Sequence, residues 1–315
     1  MKQRTITGAA IVALLILVMF ARQLTLYVFD AFIVCLAVLA SFEMSNLLAR
    51  QGMYNNKYFV IAYPILTYAI YLIGLLTDLE LYMVVVLQAA LIVLMLAAIA
   101  LYGLINSKAT KNEIETRRLK FKVENFAIFK SIHSMFAFFY PTVLMMAFVF
   151  LNNLPQMLNI FKDSALFLED LSLFALVIAF VIPIFTDTFA YLTGSLLKGP
   201  KLCPKISPNK TISGFIGGLV WGIAAAVGAF FIFSSISGYA EAFAKVGIEF
   251  WHLIILGAVG SVVSQIGDIF ESYLKRKANV KDTGSLLAGH GGILDRMDSH
   301  IFCAPIIFIY FVIIL

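Results

Sequence analysis

Apolar residues fall along this chain in long blocks separated by short polar stretches. A helix needs ~20 apolar residues to cross the hydrocarbon core of a bilayer. Blocks of about that length lie at roughly 6–21, 25–46, 58–77, 80–105, 133–151, 170–194, 214–235, 248–270 and 300–315. The last is short and calls for local thinning of the bilayer or tilt of its neighbours. The pattern predicts an all-α, polytopic integral membrane protein with about nine transmembrane helices. It divides the chain into residues 1–131, with about four spans and a basic cytoplasmic helix or loop, and residues 132–315. The second region carries about five spans and two cytoplasmic loops, 195–213 and 272–299.

Composition points the same way. Hydrophobic residues make up 62% of the 315 residues and charged residues 13%. Ordinary globular domains have roughly 45–50% and about 25%. Water could not solvate so apolar a surface, so the lipid bilayer is the main solvent. The net charge of +5 is spread over short loops and forms no single patch, which argues against a nucleic-acid partner. Cys35, Cys203 and Cys303 lack close metal-ligand spacing and read as reduced thiols. The first block follows Lys2 and Arg4 as a signal peptide would, but its exit, Met19-Phe-Ala-Arg-Gln23, offers no small-x-small cleavage site. A retained helix is the better reading.

Lysine and arginine give the orientation. With the N-terminus inside, the inner segments collect 20 of the 23 basic residues, and only Arg22, Lys162 and Lys245 fall outside. The alternation predicts a cytoplasmic N-terminus and an external C-terminus, in a cell (inner or plasma) membrane. The longest polar stretch, Ser107–Lys130, reads as an amphipathic surface helix touching anionic headgroups.

Carboxylates inside apolar blocks are costly and mark function or a buried partner. Asp30 and Glu43 lie near the ends of the second block, where snorkelling to the interface explains them. Asp187 follows Pro183, which frees a backbone carbonyl, and has polar neighbours in Thr186 and Thr188. A site or a polar packing cluster must compensate. In the eighth block Ser264, Asp268 and Ser272 share a helix face, with Gln265 beside them and Glu271 following. Such a stripe of oxygen atoms suits a hard cation such as Mg2+ or, alternatively, a polar packing seam.

The segment Ser272–Asp298 holds three kinds of tool. Lys275, Arg276, Lys281 and Arg296 are partners for phosphate. Gly289, Gly291 and Gly292 let backbone N–H groups approach an anion. Asp282, Asp295 and Asp298 can hold a divalent cation. Together these suit phosphoryl or nucleotidyl transfer, where a protein mainly positions groups and neutralises charge. A positive-inside anchor explains the basic residues but not the glycines, His290 and the aspartates. On the same side, Ser207, Lys210 and Thr211 could bind phosphates, or belong to a plain connection.

Ser272 to Asp298 resembles the signature of the phosphatidate cytidylyltransferases, or CDP-diacylglycerol synthases. Its pattern is Ser-x-hydrophobic-Lys-Arg, four residues, Lys-Asp, then His-Gly-Gly-x-x-Asp-Arg-x-Asp. Asp187-Thr-Phe-Ala-Tyr-Leu-Thr-Gly194 is similar to the family's Asp-x-x-Ala-Tyr-x-x-Gly element, and Ser207-Pro-Asn-Lys-Thr211 to its Ser-Pro-x-Lys-Thr element. The resemblance covers the last ~130 residues. Ala288 departs from the usual Pro or Gly. Ile212-Ser213 stands where Trp and an acidic or amide residue commonly follow.

The resemblance implies a membrane-embedded nucleotidyltransferase that makes CDP-diacylglycerol and pyrophosphate from CTP and phosphatidic acid. It implies Mg2+, leaves a second cation open, and carries a homodimer as a family-level expectation. Asp268 and Asp295 are then the principal metal ligands, with Asp187 and Asp298 next, as ligands or behind them. Lys281 joins these four aspartates as catalytic. Ser207, Lys210, Thr211, Lys275, Arg276, Asp282, His290, Gly291, Gly292 and Arg296 are assigned to substrate. His290 is placed as a phosphate donor or loop organiser rather than a base. Two alternatives stay open: a related CTP-dependent transferase acting on another lipid, and an ion-coupled secondary transporter running through Asp30, Asp187 and Asp268.

Overall fold

The computed structural model describes residues 2–77, 79, 81–106, 125–154, 165–236, 238–287 and 291–314. Within them, the apolar blocks are helices. The first are α1 (Lys2–Arg22), α2 (Leu26–Arg50), α3 (Lys57–Leu76) and α4 (Leu81–Ile105). Two short helices follow, α5 (Phe126–Ala137) and α6 (Ala147–Asn152), then the long α7 (Ala165–Leu197). A hairpin of β1 (Lys201–Cys203) and β2 (Ser207–Thr211) leads into α8 (Ile212–Ser234), α9 (Tyr239–Val246), α10 (Phe250–Lys277) and α11 (Leu294–Ile314). Among the described residues, eight helical segments are long and apolar enough to cross a membrane, so this is a multi-pass membrane protein. One of them, Phe126–Asn152, is built from α5, a π-helical stretch Phe138–Val143 and α6. Pro141 and the non-helical Tyr140 interrupt it there.

Several boundaries differ from the apolar blocks because polar residues also extend helices. Asn125 caps α5 by accepting from the Ile128 N–H at 3.1 Å, so helix begins inside the stretch read as a surface segment. Residues 107–124 of that stretch lie outside the described residues. The 195–213 segment is a hairpin rather than a plain loop, with Lys201 opposite Thr211 and Cys203 opposite Ser207. The 272–299 segment is helical to Lys277 and again from Leu294. Its connecting loop is therefore shorter than the polar composition suggested.

The chain falls into two compact units, which do not follow the division at residue 131. The first comprises Met1–Met146 together with Lys277–Arg296. Its core gathers Phe29, Ile33, Met44, Leu47 and Tyr63, all almost fully buried. Tyr63 meets Phe138 edge-on with ring centroids 4.8 Å apart, and Ser41 bonds Thr142 at 2.6 Å. The second comprises Ala147–Arg276 and Met297–Leu315. Phe174 of α7 sits at its centre, against Phe233, Phe243 and Phe311.

Within the second unit, small residues let helices approach closely where the polar groups lie. A side chain at Gly214 would come 2.6 Å from the Ala190 carbonyl, and one at Gly218 would come 2.8 Å from the Thr186 carbonyl. The α7 and α8 backbones therefore nearly touch beside Asp187. Gly267 plays the same part between α10 and α11, where a Cβ would stand 2.6 Å from the Asp298 carbonyl.

Candidate functional site

The second unit contains a cavity of about 680 Å³ lined by the 195–213 segment and by helices α7, α8 and α10, with no residue of Ser272–Asp298 in its lining. Asp187 comes to it from α7, Lys210 and Thr211 from β2, and Gln265 and Asp268 from α10. Lys198 and Lys201 stand on its wall at the hairpin. Asp187 lies ten residues before the end of α7, and Asp268 nine before the end of α10. At 1.5 Å per residue both are about 14–15 Å from those helix ends.

Inside the cavity Lys210 Nζ stands 2.7 Å from Asp268 Oδ2, with the two side chains 23% and 31% exposed. Asp187 Oδ2 accepts a 2.8 Å bond from the Ser299 hydroxyl. The charges of Asp268 and Asp298 both act on Asp187. Asp298 lies within hydrogen-bond reach of Glu271, and its Oδ1 accepts from the Ser299 N–H at 2.8 Å. Lys275 Nζ is 3.2 Å from Glu271. Ser272 donates weakly to Asp268 at 3.4 Å.

This network sets four carboxyl groups, Asp187, Asp268, Glu271 and Asp298, against two amines, Lys210 and Lys275. Like charges this close in a low dielectric repel strongly. A divalent cation is one species that relieves the repulsion, and the donors are all oxygen, as a hard cation prefers. Among the described residues no three His, Cys, Asp or Glu side chains gather closely enough to ligate one ion as they stand. Mg2+ does not require that, because it keeps several waters and uses one or two carboxylates with substrate phosphates. The all-oxygen donor set therefore fits Mg2+.

The remaining predicted residues have distinct settings. Thr211 is the N-cap of α8, its hydroxyl accepting from the Gly214 N–H at 3.1 Å, so it builds the cavity wall as well as facing it. Ser207 ends the hairpin turn and does not line the cavity. The Arg276 guanidinium donates to the Ile206 carbonyl at 3.2 Å, tying that turn to the end of α10. Lys281, Asp282 and Arg296 are exposed. His290 and Gly289 lie outside the described residues.

Asp295, Gly291 and Gly292 belong to the first unit and form a second arrangement. Asp295 Oδ2 accepts from the Thr283 N–H (2.8 Å), the Thr283 hydroxyl (2.9 Å) and the Gly292 N–H (2.8 Å). Gly291 has a positive φ of 81°, a conformation that costs a glycine little. The structure thus gives Asp295 a loop-organising environment that its assignment as a metal ligand did not anticipate.

Two carboxylates read as snorkelling are corrected. Asp30 is fully buried, and Glu43 is 7% exposed. Glu43 accepts from the Ile293 N–H at 3.1 Å and the Leu294 N–H at 2.9 Å. Sequence reasoning also assigned nothing to Ser299 and Thr283. Only Glu43 carried a signal, the cost of a carboxylate in an apolar span.

Comparison with known proteins bears on the family of the chain. The sequence profile described as the cytidylyltransferase family matches residues 2–314. Among curated relatives, a phosphatidate cytidylyltransferase of Bacillus subtilis is 44% identical over 130 residues, 41% of this chain and 44% of its own length. That of Staphylococcus haemolyticus is 42% identical over 129 residues, 41% of this chain and 45% of its own. That of Rickettsia felis is 40% identical over 142 residues, 45% of this chain and 60% of its own. The matched part thus spans about half the length of these relatives. The profile, by contrast, runs nearly end to end, and the chain belongs to the cytidylyltransferase family.

Proposed function

We propose that this membrane protein transfers the cytidylyl group of CTP to phosphatidic acid, giving CDP-diacylglycerol and pyrophosphate in phospholipid biosynthesis. A phosphate oxygen of the lipid attacks the α-phosphorus of CTP. The bond from that phosphorus to the oxygen bridging to the β-phosphate breaks, and pyrophosphate leaves with the electron pair. The nucleophile is already anionic, so no strong general base is needed. The difficulty is to bring two polyanions together.

The observation that carries this reading is the cavity in which Lys210 and Asp268 are paired. Lys210 is held at the cavity by an ion pair it can exchange for a phosphate. Lys198 and Lys201 add positive charge to the same wall. Asp268, with Asp187 and Asp298, would hold Mg2+. When bound, the cation would screen phosphate charge and polarise the phosphorus under attack. Ser299 holds the Asp187 carboxylate in one orientation, and the close α7–α8 packing fixes Asp187 opposite β2. Lysine and arginine placement supports a cytoplasmic position for this cavity, where CTP is available.

The test uses purified full-length protein in liposomes with labelled CTP, phosphatidic acid and Mg2+. Lipid-linked CMP and one equivalent of pyrophosphate are expected. Product only when another lipid phosphate or a lipid alcohol replaces phosphatidic acid would point to a sibling transferase. No nucleotide transfer to any lipid would overturn the reading.

A further inference from the structure

Beyond α7 the chain enters the hairpin through backbone that side chains rarely adopt. Lys198 has a φ of 55° and Gly199 one of 107°. Glycine accepts such values freely, whereas the Cβ of a lysine crowds the backbone there. A residue strained in this way persists only where its surroundings hold it. The Lys198 N–H donates back to the Gly194 carbonyl of α7 at 3.1 Å. Its own carbonyl accepts from the Ser213 hydroxyl of α8. Two residues on, the Pro200 carbonyl accepts from the Ile212 N–H at 3.0 Å. Adjacent residues at the start of α8 thus fix the turn on both sides of Gly199.

Counting protons gives the hydroxyls their order. Ser213 has one proton, and the Lys198 carbonyl, which can only accept, takes it. Thr211 Oγ1 lies 3.1 Å from Ser213 Oγ, so the Thr211 hydroxyl is the donor of that pair. Thr211 Oγ1 in turn accepts from the Gly214 N–H at 3.1 Å. Each hydroxyl therefore donates once and accepts once, in a single run from α8 to the residue that follows α7. The two helices meet tightly beside this run, where a Cβ at Gly194 would stand 2.7 Å from Thr211 Oγ1. Lys198, Thr211 and Gly214 line the cavity, and Ser213 stands behind them without lining it. All of these residues belong to the second unit.

We propose that Lys198 binds a substrate phosphate in the cavity and that Ser213 is its positioning residue: by holding the Lys198 carbonyl, Ser213 keeps the left-handed turn that presents the ammonium group there. This rests on the functional reading above, which places phosphates in this cavity. Ser213 acts only through Lys198. Without its hydroxyl, Lys198 can relax to a negative φ, and its side chain then leaves the backbone in another direction.

The test measures kcat, KM for CTP and KM for phosphatidic acid in liposomes. Lys198→Met, which keeps the length and removes the charge, should raise a KM about tenfold, the scale of one lost hydrogen bond to a charged group. A rise in KM for CTP assigns the phosphate to the triphosphate, and a rise in KM for phosphatidic acid assigns it to the lipid headgroup. Ser213→Ala should raise the same KM several-fold. In the double variant Ser213→Ala should add nothing to Lys198→Met, because the serine has no other route to substrate. Ser213→Thr and Ser213→Val are alike in bulk and isolate the hydroxyl: the Thr variant should keep the original KM and the Val variant should not.

A purely structural serine would lower kcat through a smaller active fraction and leave both KM values alone, and that result overturns the positioning role. So do equal KM values in the Thr and Val variants, or a Ser213→Ala effect as large in Lys198→Met as in the unsubstituted protein. The Thr and Val pair decides the matter if Ser213→Ala does not accumulate. If the unsubstituted protein forms no lipid-linked CMP, the functional reading falls. If it does and Lys198→Met keeps both KM values, this proposal alone falls.

Discussion

Lys210 Nζ and Asp268 Oδ2 stand 2.7 Å apart across a cavity whose other walls carry Asp187 and two further lysines. One residue comes from a short hairpin and the other from a long helix, 58 positions later. The two side chains are 23% and 31% exposed and both line the cavity, so a phosphate entering it can reach the pair. Replacing Lys210 with Met should lower turnover by about 100-fold, with normal insertion, whereas Asp268→Asn should abolish it. Near-normal turnover in Asp268→Asn would remove this aspartate from the metal site.

Mg2+ removal gives a prediction that does not depend on turnover alone. Chelation should stop the reaction, and Mg2+ restore it. Binding to the folded state also stabilises it by mass action, by about 2–3 kcal/mol at a hundredfold excess over Kd, which raises the melting temperature. This rise should appear in the unsubstituted protein and be absent in Asp268→Asn. An equal rise in both, measured by thermal unfolding in detergent, would place the ion elsewhere.

The Ser299 hydroxyl is the named hydrogen-bond donor that orients Asp187. Ser299→Ala should cost about 1 kcal/mol of stability and lower kcat several-fold, with both KM values little changed. Ser299→Thr keeps the hydroxyl and should retain more activity. Equal activity in the Ala and Thr variants would show that this bond does not matter.

The α7–α8 contact should tolerate no side chain beside Asp187. Gly218→Ala meets the Thr186 backbone carbonyl, which cannot yield as a flexible side chain would. A loss of about 1–3 kcal/mol is expected, read as a lowered melting temperature. Gly228 lies in the same helix with nothing within 4 Å of the added methyl, and Gly228→Ala should be neutral.

Arg276→Ala should leave insertion intact and loosen the hairpin turn, because its guanidinium bonds the Ile206 carbonyl. Trypsin should then cut after Lys205 more quickly. Lysine at position 276 should not restore protection, since it lacks the planar fork that meets the carbonyl from the helix end.

Much of this was readable in the amino acids alone. Long apolar blocks can only be membrane helices, because a bilayer leaves backbone groups no partner except their own helix. Asp187, Lys210 and Asp268 were visible as costly or clustered polar residues, and the structure brings these three to one cavity. Local polarity could not show that the segment around Lys201 and Thr211 pairs as strands, because hairpin register depends on contacts between residues with no distinctive pattern. Nor could it separate Asp295, committed to the Thr283 and Gly292 donors, from Asp298 three residues on, beside Glu271. Glu43 is the clearest case. The chain by itself determined that a carboxylate there needed a partner. Only the tertiary structure decided that the partner is a loop 240 residues later, because a buried charge is satisfied by whichever donors folding brings to it.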